Sequence, residues 1–199
     1  VKLYDDTPLP AIPHPSKPLG KTTWHGSGEF MKYNRWKRDP RNDPEFADMV
    51  RRHYAGCVSY VDALVGRLIA GLEKQEAADQ TVILLWGDHG WHLGEKLKFR
   101  KASLWREATQ LPLIIQTPDM QNGQDCTRNV NLIDLYPTLV DLCGLPEKEL
   151  DGTSIKQLLD NPTLEWRPTV TTQDKGNHSV MSERWHYITY ARGFEELYD

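Results

Sequence analysis

The feature that most constrains the fold is a continuous apolar run that leads directly into an acidic residue and an imidazole flanked by glycines. TVILLW occupies residues 81–86 and lacks the alternation of a half-exposed strand, so it predicts a β-strand buried on both faces. GDHG follows at residues 87–90. Because ligands bind beyond the carboxyl ends of strands in open α/β sheets, Asp88 and His89 are candidate site residues.

A long amphipathic helix precedes this strand. Apolar residues recur at three- and four-residue spacing between Phe46 and Leu72, which predicts a helix over residues 44–75. Asp43 is a suitable N-cap, and the proline that follows suits the first helical position. LPLIIQ at residues 111–116 predicts a second buried strand.

The rest of the chain predicts an α/β protein with a mainly parallel sheet up to about residue 120 and a small C-terminal α+β tail with antiparallel strands. Three regions are expected: an irregular, proline-rich surface insertion at 1–43, the α/β part at 44–130, and a helix with a small antiparallel subdomain at 131–199. The shorter elements expected are helices at 103–109, 132–143 and 154–159, the last capped by Ser154, and strands at 170–173, 179–182, 185–190 and 195–198.

Composition excludes several functions. The formal net charge of -4 argues against a broad basic surface for nucleic acid. No apolar run approaches ~20 residues, so no membrane span is expected. The three cysteines lack metal-type spacing, which predicts neither a disulfide framework nor a zinc site.

The residue types around the Asp-His pair suit chemistry on an anion. Asp88 offers a hard oxygen and His89 a neutral nitrogen to a divalent cation, which could polarise an anionic substrate. A cluster of cations follows, and an ammonium group there could neutralise charge on a transferring sulfuryl or phosphoryl group. The cluster consists of Lys96, Lys98, Arg100 and Lys101. An Asp-His pair in a turn can also simply cap a helix, and the pair alone does not decide between these interpretations.

WGDHGWHLGE, at residues 86–95, resembles the second metal-binding segment of type I sulfatases, members of the alkaline-phosphatase superfamily, and is most similar to the iduronate-2-sulfatase-like group. The resemblance extends from about residue 54 to residue 199. It is carried by YAGCVSYVDALVGRLIAGLE, ATQLPLII, NLIDLYPTLVDLCGLP, LDGTSIKQLL and SERWHYITYARGFEELYD.

This resemblance implies an alkaline-phosphatase-like sandwich and a set of roles. Asp88 and His89 would complete a Ca²⁺ site begun by two aspartates elsewhere in the protein. Lys101 would contact the anionic group of the substrate, and Trp91 would line its pocket. His178, in a GNH segment similar to one near the substrate in relatives, would touch a sugar substituent.

The same resemblance implies a formylglycine nucleophile made from the cysteine of a Cys-x-Pro-x-Arg motif. Cys57, Cys126 and Cys143 do not lie in such a motif. The chain is therefore expected to be the C-terminal segment of a sulfatase, inactive alone, whose partner is the rest of the sulfatase chain.

The substrate implied by the resemblance is a sulfated sugar or similar ester, and the family suggests an exported, periplasmic or lysosomal protein. Two alternatives stay open. One is a phosphodiesterase or phosphonate hydrolase of the same superfamily. The other is a non-catalytic remnant with a binding or structural role.

Overall fold

The computed structural model describes residues 2–18, 30, 35–120, 123–146, 148–174 and 176–199 of the 199-residue chain. The chain divides into two compact units. One is formed by Val1–Asp79 with His89–Gln110, and the other by Gln80–Asp88 with Leu111–Asp199. These units are defined by spatial contacts and each joins two separate stretches of sequence. The expected division at residues 43/44 and 130/131 therefore remains a prediction about the order of regions along the chain.

The first unit contains the long helix α1, Pro44–Lys74, which confirms the expected helix to within one residue. The Asp43 carboxylate accepts a hydrogen bond from the N–H of Phe46 at 3.0 Å, and Glu45 lies in the first turn. Both features stabilise the N-terminal end of the helix, where the unpaired N–H groups and the helix dipole give a partial positive charge. The helix ends at Gln75, whose N–H donates back to the last turn.

Half of the residues in the apolar stripe of α1 are exposed. Phe46 is fully buried, whereas Val61 and Leu68 are 54% and 74% exposed. By length and composition alone α1 could cross a bilayer, and none of its most apolar window is buried. A core helix of a water-soluble protein has the same length and composition, so the expectation of no membrane span stays a prediction.

The described part of the N-terminal insertion is held on α1 by arginines. A short 3-10 turn, Lys2–Tyr4, opens it. Arg52 of α1 donates to the carbonyl oxygens of Tyr4 and, at 2.7 Å, Thr7. The proposed insertion also covers residues 19–29 and 31–34, which lie outside the described residues.

In the second unit, β1 (Ile83–Trp86) and β2 (Leu113–Gln116) pair antiparallel, with Ile83 opposite Gln116. The expectation of a parallel arrangement was wrong for these two strands. A parallel pair needs a crossover of a dozen or more residues, usually helical, that returns the chain to the same end. Here the connection contains a 3-10 turn, Glu95–Leu97, and a four-residue helix, and the chain comes back in the opposite direction. Burial on both faces was also wrong, since Trp86 is 48% exposed.

The connection between β1 and β2 contains the short helix α2, Arg106–Thr109, where a helix over 103–109 was expected. Two further helices, α3 (Leu135–Leu142) and α4 (Lys156–Asp160), lie in the second unit. A 3-10 turn, Leu132–Asp134, precedes α3 and together with it accounts for the expected helix at 132–143.

Asp134 joins the segments around α3. Its carboxylate is fully buried and accepts hydrogen bonds from the N–H groups of Asn131 (3.0 Å) and Thr153 (2.9 Å) and from Arg167 (2.6 Å). The expected cap at Ser154 is confirmed in part. Ile155 directly precedes α4, but the Ser154 hydroxyl accepts a hydrogen bond from the N–H of Lys156, the first residue of α4, at 3.3 Å and donates to Asp141 at 2.8 Å.

The tail forms the expected antiparallel sheet, in which neighbouring strands along the chain pair in the order β3-β4-β5-β6. Buried positions on one face include Ser179 and His186, whose side chains are hydrogen-bonded at 2.7 Å, and Ile188. Each strand lies within a few residues of its expected position. The strands are β3 (Thr169–Gln173), β4 (Asn177–Met181), β5 (His186–Thr189) and β6 (Glu195–Tyr198).

Candidate functional site

The residues that follow the Asp-His pair form a hairpin-like loop in the first unit. The N–H of His92 donates to the carbonyl of Arg100 at 2.9 Å, and the N–H of Gly94 donates to that of Lys98 at 2.8 Å. The tip between these pairs contains left-handed backbone, including Gly94 at φ 123°. Glycine favours that conformation because it has no Cβ.

The predicted site residues Trp91 and Lys101 flank the base of this loop. The bonded pairs are residues 92 with 100 and 94 with 98, so Trp91 and Lys101 each lie one residue outside the first pair. Lys101 is exposed and Trp91 is half-buried.

Gly90 anchors the start of the loop. Its N–H donates to the carbonyl of Ala108 at 2.9 Å. A Cβ at position 90 would lie 2.1 Å from the carbonyl oxygen of Glu107, well inside any van der Waals contact. Only glycine therefore allows the chain between His89 and Trp91 to lie this close to α2.

His89 has a defined tautomer. Its Nδ1 lies 2.9 Å from the carbonyl oxygen of Gly90, and because a carbonyl can only accept, Nδ1 carries the proton and donates. The lone pair is then on Nε2, the form that an imidazole needs to bind a cation. The ring also lies 6.4 Å from that of Trp91, centroid to centroid.

Asp88 is exposed and follows the last residues of the β1–β2 ladder. The ladder extends one residue past β1, since the N–H of Gly87 donates to the carbonyl of Pro112 at 3.2 Å. The boundary between the two compact units falls between Asp88 and His89. Asp88 is thus at the carboxyl end of its strand, as expected, while His89, Trp91 and Lys101 belong to the other unit.

The four cations after the pair do not form one exposed patch. Lys96 and Lys98 are 9% and 7% exposed, whereas Lys101 is open to solvent. Lys96 forms an ion pair with Glu107 at 2.5 Å. Burial is the main cause that lowers the pKa of Lys98 to about 8, and the charges of Lys17, Arg100 and Arg41 act in the same direction. Of the three lysines in this cluster, Lys101 is the accessible one, and it is the lysine predicted to contact the anion.

A buried polar cluster supports the loop from inside. His92 is fully buried, and its Nε2 lies 2.7 Å from the hydroxyl of Ser103. Burial is the main cause that lowers the pKa of His92 to about 4, with the positive charges of Lys96 and Lys98 acting in the same direction and Glu107 opposing them. The ring is therefore neutral near pH 7.

His178 lies in β4, in the second unit. Its Nδ1 is 3.0 Å from the hydroxyl of Thr172 on the neighbouring strand β3. This cross-strand hydrogen bond accounts for the position of the imidazole. Its predicted contact with a sugar substituent stays a prediction.

The donor set fits a metal only in part. Within the described ranges, no group of three or more His, Cys, Asp or Glu side chains could hold a metal ion. Calcium takes six to eight oxygen ligands, so the carboxylate of Asp88 and the imidazole of His89 could supply a minority of them.

Comparison with solved structures identifies the fold class. BT4656, solved in complex with its substrate D-glucosamine-2-N,6-O-disulfate, superposes with a TM-score of 0.61 at 26% identity over 74% of this chain and 33% of that chain. The phosphonate monoester hydrolase of Agrobacterium radiobacter superposes with a TM-score of 0.67 at 25% identity over 77% and 35%. The chain therefore has the expected alkaline-phosphatase-like α/β fold.

The family follows from the sequence comparison. The family model described as "Sulfatase" matches residues 19–145, which is more than half of the chain. A protein named "Sulfatase" from Formosa agariphila is 37% identical over 148 residues, covering 73% of this chain and 29% of the relative. The chain belongs to the sulfatase family, and it spans about a third of the length of the curated relatives it matches. The iduronate-2-sulfatase-like subtype stays a prediction.

Sequence reasoning missed the buried cluster. It did not predict that His92 and Ser103 form a buried hydrogen-bonded pair. The available signal was the spacing of the glycines at 90 and 94, which favours a tight reversal that returns the chain toward position 92.

Proposed function

We propose that this chain is the part of a sulfatase that holds the substrate's sulfate group and contributes to its metal site. One observation carries the proposal: the backbone bonds of the loop place Trp91 and Lys101 on the two sides of its base, with the His89 ring 6.4 Å from that of Trp91. Membership of the sulfatase family supports the same function. The reaction proposed for the whole protein is the hydrolysis of a sulfate ester.

Lys101 has the central role among these residues. Its exposed ammonium group would contact the non-bridging oxygens of the sulfate, where negative charge increases as the ester bond breaks. Trp91 would form the apolar wall beside it, orienting the ester and excluding water. A sulfated sugar is the proposed substrate class. The substrate in the BT4656 complex, a glucosamine that bears two sulfate groups, supports it.

Asp88 and His89 are proposed to hold Ca²⁺ together with ligands from outside this chain. Bound calcium supplies a Lewis acid that polarises the sulfate group. The hydrogen bond from His89 Nδ1 to the carbonyl of Gly90 fixes the ring in the tautomer that a cation needs. His178 is proposed to contact a more distant substituent of the sugar.

The nucleophile is proposed to lie outside residues 1–199, because none of the three cysteines lies in a Cys-x-Pro-x-Arg motif. A formylglycine there would supply the attacking oxygen. The isolated chain should therefore not hydrolyse sulfate esters. An exported, periplasmic or lysosomal location is proposed from the family alone.

The test uses the full-length gene product that contains this chain and an aryl sulfate such as 4-nitrophenyl sulfate. Lys101→Ala should lower kcat/KM by about 10²–10³-fold, the range for removing one group that stabilises transition-state charge. Lys74→Ala removes the same charge at the end of α1 and is the matched control, with kcat/KM unchanged. Turnover unaffected by Lys101→Ala would contradict the role given to Lys101.

Hydrolysis of a phosphonate or phosphate diester is the second candidate. The superposition on the Agrobacterium phosphonate monoester hydrolase favours it, and an Asp-His pair suits either anion. The same preparation is assayed with 4-nitrophenyl phenylphosphonate, a phosphonate monoester, and with bis(4-nitrophenyl) phosphate. A kcat/KM for either that exceeds the value for the aryl sulfate would favour this candidate.

A non-catalytic remnant is the third candidate. The intact mass of the protein from its source cell separates it from the first two. A mass near the 22.9 kDa of this chain would favour the remnant, whereas a much larger mass would favour the enzyme.

A further inference from the structure

The buried residue His92 is hydrogen-bonded to the chain on both sides of Lys101. The backbone N–H of His92 donates to the carbonyl of Arg100 at 2.9 Å, one residue before Lys101. The His92 side chain is hydrogen-bonded to Ser103, two residues after it, at 2.7 Å. The N–H of Ser103 in turn donates to the carbonyl of Lys101 itself at 2.8 Å. Lys101 thus lies within a four-residue segment, residues 100–103, whose two ends are both hydrogen-bonded to His92.

The residues packed around His92 restrict the movement of these hydrogen-bonded groups. His92 and Ser103 are 0% and 4% exposed, so water cannot replace their hydrogen bond. Trp105 packs its ring against the imidazole at 5.8 Å, edge to face. Lys96 lies 5.3 Å from the Trp105 ring and pairs with Glu107 at 2.5 Å, which closes the cluster on its other side. A buried hydrogen bond in a low-dielectric environment is stronger and more directional than one in water.

We propose that His92 is a positioning residue: its backbone and side-chain bonds to the two sides of Lys101 set the position of the lysine ammonium in the anion site. The inference rests on the proposed function, because it needs Lys101 to contact the substrate's anionic group. His92 touches neither substrate nor metal in this account. It acts through Lys101, and a displacement of about 1 Å at a reacting group can cost on the order of 10²-fold in rate.

The imidazole suits this role because the site needs a neutral group that can share a hydrogen bond with a hydroxyl. A cation in its place would add to the charges of Lys96 and Lys98, and an apolar side chain of the same size would leave the Ser103 hydroxyl buried without its partner. Glutamine is the closest replacement, since its amide can reach the position of Nε2.

The experiment compares His92→Leu with His92→Gln in the full-length gene product. Both variants fill the space, but only glutamine can restore the bond to Ser103. With 4-nitrophenyl sulfate, His92→Leu should lower kcat/KM about 10- to 100-fold, and His92→Gln should stay within about 3-fold of the parent. The inhibition constant of inorganic sulfate should rise in His92→Leu and not in His92→Gln.

A double-mutant cycle with Lys101→Ala separates positioning from general damage. If His92 acts through Lys101, His92→Leu should change kcat/KM by less than about 2-fold once Lys101 is alanine. If His92→Leu lowers kcat/KM as much in the Lys101→Ala variant as in the parent, the inference is overturned and the proposed function is unaffected. An enzyme in which Lys101→Ala alone has no effect overturns both. If His92→Leu fails to fold, Ser103→Ala removes the same hydrogen bond from the other side and carries the cycle.

Discussion

Replacing Gly90 by alanine tests the loop geometry most directly. The added Cβ would lie 2.1 Å from the carbonyl oxygen of Glu107, 3.0 Å from its carbonyl carbon and 3.2 Å from the Cα of Ala108. All three atoms belong to backbone, so no side-chain rotation relieves the contact. The loop and α2 would have to separate by at least about 1.3 Å, the gap between 2.1 Å and an ordinary contact distance of 3.4 Å.

Two terms contribute to the cost. Separation lengthens the hydrogen bond from the Gly90 N–H to the Ala108 carbonyl, now 2.9 Å, whose loss costs about 1 kcal/mol. Overpacking a close contact costs about 1–3 kcal/mol more. We therefore expect Gly90→Ala to lower the free energy of unfolding by about 2–4 kcal/mol.

Gly56→Ala is the matched control, because the same Cβ there meets nothing within 4 Å and the residue lies inside α1 of the same compact unit. Alanine is the better helix former by about 1 kcal/mol, so this variant should gain stability. Equilibrium urea unfolding followed by circular dichroism at 222 nm measures both. A Gly90→Ala variant within about 0.5 kcal/mol of the parent, or two variants shifted in the same direction, would refute the close approach of the loop to α2.

Two further predictions concern the buried polar groups. Asp134→Ala should lower the free energy of unfolding by about 2–4 kcal/mol, because it leaves the N–H groups of Asn131 and Thr153 without their acceptor. Asp141→Ala removes a half-exposed ion pair and should lower it by less than about 1 kcal/mol. The midpoints of urea unfolding compare the two variants. Stability should also fall as pH drops from about 6.5 to about 4, because the folded pKa of His92 is depressed and the unfolded chain takes up the proton first. The slope from this residue is at most about 1.4 kcal/mol per pH unit, and a His92→Gln variant with an unchanged slope between those pH values would contradict the assignment.

The local elements were largely predictable from sequence. The cap at Asp43 and the apolar spacing predicted α1 to within one residue, because both signals act over a few residues along the chain. The strands of the tail were predicted for the same reason. The antiparallel direction of β2 relative to β1 could not be predicted. A continuous apolar run indicates burial but carries no information on whether the next strand is parallel or antiparallel to it.

The candidate site divides in the same way. Sequence alone determined the family, the Asp-His pair after a strand, and the lysine thirteen residues beyond the aspartate, because these depend on residue identity and spacing. Only the tertiary structure decided that Trp91 and Lys101 flank the base of one loop, that Gly90 lies against the Glu107 carbonyl, and that His92 is buried against Ser103. Those relations arise where the chain turns back on itself, and contacts between returning segments depend on the closed geometry of the loop, which no local pattern of residues specifies.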